Sequence, residues 1–307
     1  MPGIDDSFRK KIISIVLGLA FGLFGLELFL RLLGFGYTVI YNLPQDKGAQ
    51  FRIFCVGEST TWGIGADNPI LQSYPHQLEE MLNNKFPEIK FQCFYDNTIG
   101  QNTSEILRKL PAYIKDYRPD LMIFMVGINN WWNLDHSNIL LFNKNKLISE
   151  SVLRISVFLD RFRVWKLLKW ICYSMGMKKE RWDYSYYKGH KYESIQETAI
   201  LEKQCNFDIF DKIAYYDLKE MIKICNRNKI KMVISSYPRR AVGGIYSIQN
   251  KISREFNIPF ADNYLFFKKT ANTKEYISSD GWHPNGKGYK LVAENIYNCI
   301  LNNNIIK

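Results

Sequence analysis

The stretch Arg52-Ile-Phe-Cys-Val-Gly-Glu-Ser-Thr-Thr61 decides the fold and contains a candidate nucleophile. Its apolar first half has the composition of a strand and stops at Gly57, and the turn that follows presents the hydroxyl of Ser59 before the next helix. Open α/β sheets bind ligands at the carboxyl ends of their strands, where a helix start also offers backbone N–H groups to an anion. This placement indicates a nucleophilic serine, although taken alone it fits an ordinary helix N-cap better.

A second polar stretch, Ser279-Asp-Gly-Trp-His-Pro-Asn-Gly-Lys-Gly-Tyr289, contains partners for such a serine. Asp280 precedes His283 by three residues, so one short loop can hold both. Serine is a weak nucleophile at neutral pH and needs a base, and a histidine base needs a carboxylate that fixes its tautomer. Alone, His283 is typical of a loop histidine and Asp280 of an Asx turn. Together with Ser59 they fill the three roles of a catalytic triad.

Four blocks of the sequence resemble the SGNH hydrolases, also called GDSL-type esterases and lipases. They occur in the family's order over residues 51–307 and read Gly57-Glu58-Ser59, Asn97-Thr-Ile-Gly100-Gln-Asn-Thr-Ser104, Gly127-Ile-Asn129-Asn130 and Asp280-Gly-Trp-His283. The resemblance implies that Ser59 attacks the acyl carbon of an ester, with His283 as the base and Asp280 behind it. It also implies an oxyanion hole formed by the N–H groups of Ser59 and Gly100 and the side chain of Asn129.

Two positions depart from the family's pattern. Glu58 stands where the family usually has aspartate, and Asn130 stands where an aspartate commonly follows the asparagine. Neither position has one of the catalytic roles, so the departures bear on subfamily and substrate more than on the chemistry.

Apolar runs that alternate with helical patterns predict an α/β fold. The predicted strands end at or near Gly57, Tyr95, Val126, Ser236 and Ala261, and the predicted helices cover residues 73–82, 104–117, 207–228, 245–256 and the segment after Gly288. About five strands separated by helices favour a three-layer α/β/α sandwich with a parallel sheet and right-handed crossovers. The SGNH hydrolases have this flavodoxin-like fold, as the resemblance implies. Ser59, Gly100 and Asn129 would then all reach the carboxyl edge of the sheet.

The N-terminal segment predicts a membrane anchor. Residues 12–30 are uncharged except for Glu27, and as a helix they rise about 28 Å, close to the thickness of a bilayer's hydrocarbon core. The basic residues Arg9, Lys10 and Lys11 precede the run. By the positive-inside rule this cluster stays in the cytoplasm, and the chain after the run lies on the other side of the membrane. A cleaved signal peptide is the alternative, but no A-x-A-like site follows. The predicted segments are a cytoplasmic tail over 1–11, a transmembrane helix over 12–33 and a linker over 34–50.

Residues 131–200 are predicted to be an insertion in the hydrolase-like domain of residues 51–307. Between Lys144 and Lys191 there are 12 Lys and Arg residues against four Asp and Glu residues, which accounts for most of the net charge of +11. Its aromatic residues are expected to line a substrate cleft or a membrane interface: Trp131, Trp132, Trp165, Trp170, Trp182, Tyr184, Tyr186 and Tyr187. The segment over 147–172 is predicted to be helical, and a lid packed partly on the core is as consistent with the pattern as a substrate or membrane surface. No nucleic-acid-binding signature accompanies the charge, so anionic lipid or acidic polysaccharide is the better partner.

The cysteines and histidines predict neither a disulfide framework nor a metal site. Cys55 and Cys93 lie in predicted strands and Cys225 and Cys299 in predicted helices, which is typical of buried free thiols. The four histidines have no metal-ligand spacing: His76, His136, His190 and His283. No glycine pattern for a dinucleotide or a P-loop is present, so no cofactor is predicted.

The sequence therefore favours a membrane-anchored serine esterase that works outside the cytoplasm on an acyl or O-acetyl ester. In a bacterium this location would be the periplasm or the cell surface. An O-acyltransferase or acetyltransferase acting on an envelope polysaccharide uses the same first step, and the sequence does not distinguish such an enzyme from an esterase. A non-catalytic glycan- or lipid-binding module on the same fold is the third alternative. The complete set of five site residues argues against that module.

Overall fold

A computed structural model describes residues 6–40, 47–143, 149–174, 209–239, 244–270 and 273–306. Its centre is a sheet of five strands with the order β2-β1-β3-β4-β5 in which every pairing is parallel. The strands are β1 Phe51–Gly57, β2 Phe91–Tyr95, β3 Leu121–Met125, β4 Lys231–Ser235 and β5 Phe260–Ala261. This sheet, flanked by helices, confirms the predicted α/β fold.

Helices connect the strands and flank the sheet in two groups. The helices are α1 Asp6–Ile40, α2 Ser59–Trp62, α3 Pro69–Gln72, α4 Tyr74–Lys85, α5 Thr103–Tyr117, α6 Ile139–Phe142, α7 Glu150–Leu159, α8 Arg163–Ser174, α9 Ile209–Arg227, α10 Ile245–Glu255, α11 Asn263–Thr270 and α12 Gly286–Asn302, with a short 3-10 helix over Thr273–Tyr276. One group contains α4 and α12, which pack against each other, and the other contains α5, α9 and α10.

The middle of the sheet brings three site segments to one edge. All residues of β3 are fully buried, as a continuous apolar run predicts for a central parallel strand. β1 pairs with β2 on one side and with β3 on the other, and Gly57 lies opposite Met125. The turns after β1, β2 and β3 are therefore neighbours at the carboxyl edge, and they carry Ser59, Gly100 and Asn129, respectively.

The described chain falls into two compact units, one of which contains α1 and residues 158–174. Within this unit α8 is fixed to α1 by polar contacts. Glu27 Oε2 accepts a hydrogen bond from the backbone N–H of Val164 at 2.9 Å, and Arg163 Nη1 donates to the carbonyl oxygen of Leu30 at 2.8 Å. A Cβ on Gly34 would lie 1.7 Å from Arg163 Nη1, so a larger residue at this position would displace the guanidinium.

The helix that contains the predicted transmembrane segment is longer than the sequence pattern predicted. It continues through residues 34–40, the start of the predicted linker, because Leu33-Gly-Phe-Gly-Tyr-Thr-Val-Ile40 remains mostly apolar and contains no proline. Residues 41–46 of the linker lie outside the described residues.

The predicted insertion is divided between the two units. In place of one helix over 147–172 there are α7 and α8, separated at Asp160, whose buried carboxylate pairs with Lys169 at 2.6 Å. In the other unit, Leu153 packs with Ile139 and Ile213 in a small apolar cluster, so α7 is partly structural. The second half of the insertion, including Trp182, Tyr184, Tyr186, Tyr187 and His190, lies outside the described residues.

Four cysteines are buried free thiols, as predicted: Cys55, Cys93, Cys225 and Cys299. Cys172 is a partly exposed free thiol, and Cys205 lies outside the described residues. In the part of the chain that the structure describes, no group of three or more His, Cys, Asp or Glu side chains is arranged to hold a metal ion.

Candidate active site

Three of the predicted site residues are linked by two hydrogen-bonding contacts, both of them made by the His283 ring. Ser59 is the first residue of α2, and the N-cap is Glu58, so the serine is not an ordinary cap. His283 Nε2 lies 2.9 Å from Ser59 Oγ, and His283 Nδ1 lies 2.6 Å from Asp280 Oδ2. The imidazole therefore bridges the hydroxyl and the carboxylate across 224 positions of the sequence.

The loop that carries Asp280 and His283 is closed by its own backbone. Ile277 and Pro284 form an antiparallel bridge, and the N–H of Ser278 donates to the carbonyl oxygen of His283 at 2.8 Å. The loop then enters α12, whose N-cap Asn285 accepts from the N–H of Gly288. These contacts fix the shape of the loop that carries the imidazole.

Asp280 is held as an anion by hydrogen bonds. Its Oδ1 accepts from the Ser278 hydroxyl at 2.7 Å and from the backbone N–H groups of Trp282 and His283 at 2.7 and 2.9 Å. Partial burial raises the pKa of Asp280, but these hydrogen bonds and that of the His283 ring lower it more, so the pKa lies well below its usual range. The other oxygen, Oδ2, is left for the imidazole. Asp280 is thus both an Asx-turn residue, through Oδ1, and the partner of His283, through Oδ2.

Gly100 and Asn129 are connected through Trp132. The indole Nε1 of Trp132 donates to Asn129 Oδ1 at 2.8 Å, and the indole ring lies only 3.0 Å from the point that a Cβ on Gly100 would occupy. Gly100 has φ +70°, a conformation that favours glycine. The Nδ2 group of Asn129 is buried and has no hydrogen-bond partner in the described protein. An orphaned buried donor is costly, so this amide is a candidate donor for a group that enters the site.

Asn130, one of the two departures from the family pattern, supports the same edge of the sheet. Its Oδ1 accepts from the backbone N–H of Thr103, and its Nδ2 donates to Thr103 Oγ1, both at 2.9 Å. The hydroxyls of Thr103 and Ser104 in turn donate to Asp217 Oδ2 at 2.6 Å. The turn after β3 is thus fastened to the start of α5 and to α9.

Sequence reasoning missed one buried residue of the site, Tyr237, which follows β4. Its hydroxyl oxygen lies 2.5 Å from Glu58 Oε1, 3.1 Å from the Met125 carbonyl oxygen and 3.4 Å from the Ile128 nitrogen. The signal available in the sequence was only a polar aromatic residue placed directly after a strand, before Pro238.

A small cleft opens beside the triad. Its volume is about 70 Å³, and its walls are formed by Thr60, Ile128, Tyr237, Pro238, Arg239, Trp282 and Pro284. Thr60 follows the candidate nucleophile, and Trp282 and Pro284 flank His283. Trp282 is 67% exposed, so the indole lies at the rim rather than in the core.

The profile of the family described as GDSL-like Lipase/Acylhydrolase matches residues 53–296, more than half of the chain. The chain belongs to this family. It is accordingly an ester-hydrolysing enzyme of the GDSL type, and its matched segment contains all four sequence blocks and most of the sheet.

The chain is also similar to several solved structures. The lipase/acylhydrolase from Enterococcus faecalis is 13% identical with a TM-score of 0.48, over 83% of this chain and 97% of that one. The esterase EstA from Pseudoalteromonas sp. is 12% identical with a TM-score of 0.45, over 82% and 97%. LAE5, an α/β hydrolase from the metagenome of Lake Arreo, is 13% identical with a TM-score of 0.48, over 82% and 95%. No curated protein matches the sequence.

Proposed function

We propose that this enzyme is a serine esterase that hydrolyses an oxygen ester through Ser59, His283 and Asp280. The observation that carries the proposal is the position of the His283 ring, 2.9 Å from Ser59 Oγ on one side and 2.6 Å from Asp280 Oδ2 on the other. A neutral imidazole oriented in this way has its free Nε2 lone pair directed at the serine hydroxyl.

In the acylation step, Ser59 Oγ attacks the acyl carbon while its proton passes to His283 Nε2. Asp280, already an anion, stabilises the imidazolium that forms. The tetrahedral intermediate then loses the alcohol, which takes the proton from Nε2 and leaves an acyl group on Oγ. In deacylation a water molecule attacks the same carbon, its proton goes to Nε2, and the carboxylic acid leaves as Oγ recovers its proton.

The oxyanion of each intermediate is assigned to three donors. They are the backbone N–H groups of Ser59 and Gly100 and the side chain of Asn129. The buried and unpartnered Nδ2 of Asn129 supports this role, since a donor held ready for charge that develops only during reaction has no ground-state partner.

Covalent labelling tests the nucleophile. A fluorophosphonate probe should add to the purified full chain with a stoichiometry of one, and peptide mass analysis should place the adduct on Ser59, because phosphonates are attacked only by an activated serine. Ser59→Ala should not be labelled. Ser156→Ala, which removes a serine of α7, serves as the matched control and should be labelled like the wild type. An unlabelled but folded wild-type chain would contradict the proposal and favour a non-catalytic binding module.

We also propose that α1 anchors the enzyme in a membrane. Residues Lys10–Gly36 have a mean hydropathy of 2.3, and no part of this segment is buried. Exposed side chains such as Phe21, Phe24 and Phe35 are 68–73% accessible, which is unfavourable in water and suits contact with lipid. Within the same unit, Glu27 is paired with Arg31 at 2.7 Å and with the N-terminus of α8, so its charge is compensated.

The proposed topology places the N-terminus in the cytoplasm and the catalytic domain outside it. A reporter enzyme that is active only in oxidising, extracytoplasmic surroundings should be active when it is fused after Lys307. Fusion after Lys10 of the same chain provides the opposite-side control. Activity of a cytoplasm-only reporter after Lys307, or recovery of a mature chain that lacks residues 1–33, would contradict the anchored arrangement.

A further inference from the structure

Glu58 is a buried acid that the reaction steps above do not use. It immediately precedes Ser59, its side chain is completely inaccessible to solvent, and its Oε2 has no hydrogen-bond partner in the described protein. Its other oxygen, Oε1, lies 2.5 Å from the hydroxyl of Tyr237, which is itself buried. An acid in such surroundings is stable only if its charge is compensated or absent.

The contacts of the Tyr237 hydroxyl indicate which protonation state of Glu58 allows every neighbouring group to form a hydrogen bond. The oxygen lies near one donor, the N–H of Ile128, and near one acceptor, the carbonyl oxygen of Met125, at 3.4 and 3.1 Å. A phenol has one proton and two lone pairs. If Glu58 is un-ionised, its O–H donates to the phenol oxygen, the phenol donates to Met125, and all three partners are satisfied. If Glu58 is ionised, the phenol must turn its proton to the carboxylate and leave Met125.

These contacts join three strand ends at the site. Glu58 follows β1 and adjoins the nucleophile, Met125 ends β3, and Tyr237 follows β4. Ile128 adjoins Asn129, the proposed oxyanion donor. The phenol therefore contacts both the turn that holds Ser59 and the turn that holds Asn129, and its loss or rotation removes a contact that joins them.

We propose that un-ionised Glu58 and Tyr237 form a positioning pair that holds the Gly127–Asn129 turn against the Ser59 turn, and that ionisation of Glu58 lowers the activity. This inference rests on the proposed function of Ser59 and Asn129. It assigns a role to the glutamate that replaces the family's usual aspartate.

Of the three buried acids Glu58, Tyr237 and Tyr74, Glu58 is the one that loses its proton first as pH rises. Burial raises the pKa of Glu58 to about 8, while the hydrogen bond with Tyr237 and the proximity of backbone N–H groups lower it. Burial likewise raises the pKa values of Tyr237 and of Tyr74 on α4 well above 10.0. His283, hydrogen-bonded to Ser59, and Arg239, which lines the cleft beside Tyr237, complete the charged or titratable neighbours.

The rate of phosphonate labelling and of ester turnover against pH tests the pair. In the wild type, both should fall above about pH 8, by about tenfold per unit of pH for a single group. Glu58→Gln keeps a donor for the phenol and has no proton to lose, so this decline should disappear. Tyr237→Phe removes the shared oxygen and should lower kcat by up to about 10²-fold with little change in KM, as a misplaced catalytic group does.

Tyr246→Phe is the matched control. Tyr246 donates to Asp262 Oδ2 at 2.7 Å in another tyrosine–carboxylate pair of the same unit, and burial raises the pKa of its phenol well above the usual range. Its loss should leave kcat and the alkaline decline as in the wild type. Rates are referred to the folded fraction, measured by circular dichroism at each pH.

Two measurements test whether Glu58 is un-ionised, and neither needs esterase activity. The infrared carbonyl band of an un-ionised carboxyl group should be present at pH 7 in the wild type and absent in Glu58→Gln. Because the folded chain then binds this proton more tightly than the unfolded chain, whose pKa lies near 4.5, the free energy of unfolding should fall as pH rises from about 4.5 to 8, and less so in Glu58→Gln.

An alkaline decline that is identical in Glu58→Gln and the wild type would overturn the proposal, and so would the absence of the infrared band at pH 7. Failure of the fluorophosphonate to label Ser59 would overturn the proposed function instead. The infrared and unfolding results would then still report whether Glu58 is un-ionised beside Tyr237.

Discussion

Asp280→Asn is expected to lower kcat for ester hydrolysis by about 10⁴-fold, the size of loss that follows when a catalytic histidine is held in the wrong tautomer. The fold should be retained, since asparagine has the same shape as aspartate and can keep the loop contacts. Asp280 is well suited to this test because its two oxygens have separate partners, one set in the backbone of the loop and one in the imidazole.

The existing hydrogen bonds fix the orientation of the new amide. Three donors surround Oδ1, namely the Ser278 hydroxyl and the N–H groups of Trp282 and His283, so the carbonyl oxygen of asparagine must take that position. Its NH₂ group then faces His283 Nδ1, which has to accept a hydrogen bond. The ring proton moves to Nε2, and Nε2 can no longer accept the proton of Ser59.

Steady-state kinetics and thermal unfolding of the purified chain measure the result. Asp116→Asn removes the same charge from an exposed position on α5 and should leave kcat unchanged. If Asp280→Asn reduced kcat by less than about tenfold in the folded protein, Asp280 would be a structural turn residue and the base would act without it. A loss of kcat that simply followed a loss of folded protein would point the same way.

The parts of this protein that the sequence predicted are those set by local pattern. Each buried strand is a short apolar run, and the parallel order of the sheet brings the residues that follow β1, β2 and β3 to one edge whatever their distance along the chain. The contact of His283 with Ser59 was expected on other grounds, because a nucleophilic serine needs a base and a carboxylate, and the Asp280–His283 loop supplies both. A motif whose chemistry requires particular partner residues thus allows those partners to be predicted from the sequence.

Contacts that depend on how distant elements pack could not be predicted from the sequence. Glu58 and Tyr237 are 179 positions apart, and nothing in either segment indicates that the two side chains meet. Trp132 was assigned to an aromatic insertion, yet its indole lies between Gly100 and Asn129. Each residue has an ordinary local environment in the sequence, and its role arises only from tertiary packing.

The N-terminal unit shows the same limit. Glu27 looked like a tolerated charge in an apolar helix, whereas the structure pairs it with Arg31 and with the backbone of Val164. Gly34 was assigned to a linker, but its lack of a side chain admits the guanidinium of Arg163. The apolar run predicts α1, and the segment over 147–172 is predicted to be helical, but neither pattern contains the polar contacts that join α1 to α8.

Asn129→Ala is expected to lower kcat by about 10² to 10³-fold, or about 3 to 4 kcal/mol of transition-state stabilisation, with little change in KM. The Nδ2 group has no partner in the described part of the resting protein, and the ground-state hydrogen bond that the variant loses is the one from Trp132 to Asn129 Oδ1. The amide would contact charge that appears mainly in the tetrahedral intermediate. Single-turnover acylation and steady-state kinetics, both corrected for active sites, measure this effect.

Trp132→Phe separates the catalytic from the structural contribution of Asn129. This variant removes the indole N–H that donates to Asn129 Oδ1 at 2.8 Å, together with the part of the ring beside Gly100, and leaves the Nδ2 donor in place. If Asn129 acts on the oxyanion, Trp132→Phe should cost much less in kcat than Asn129→Ala, because the donor remains and only its orientation loosens. If Asn129→Ala instead lowered the melting temperature but kept turnover per folded molecule within about twofold, the amide would be a structural link to Trp132, and the oxyanion would have to be held by backbone N–H groups alone.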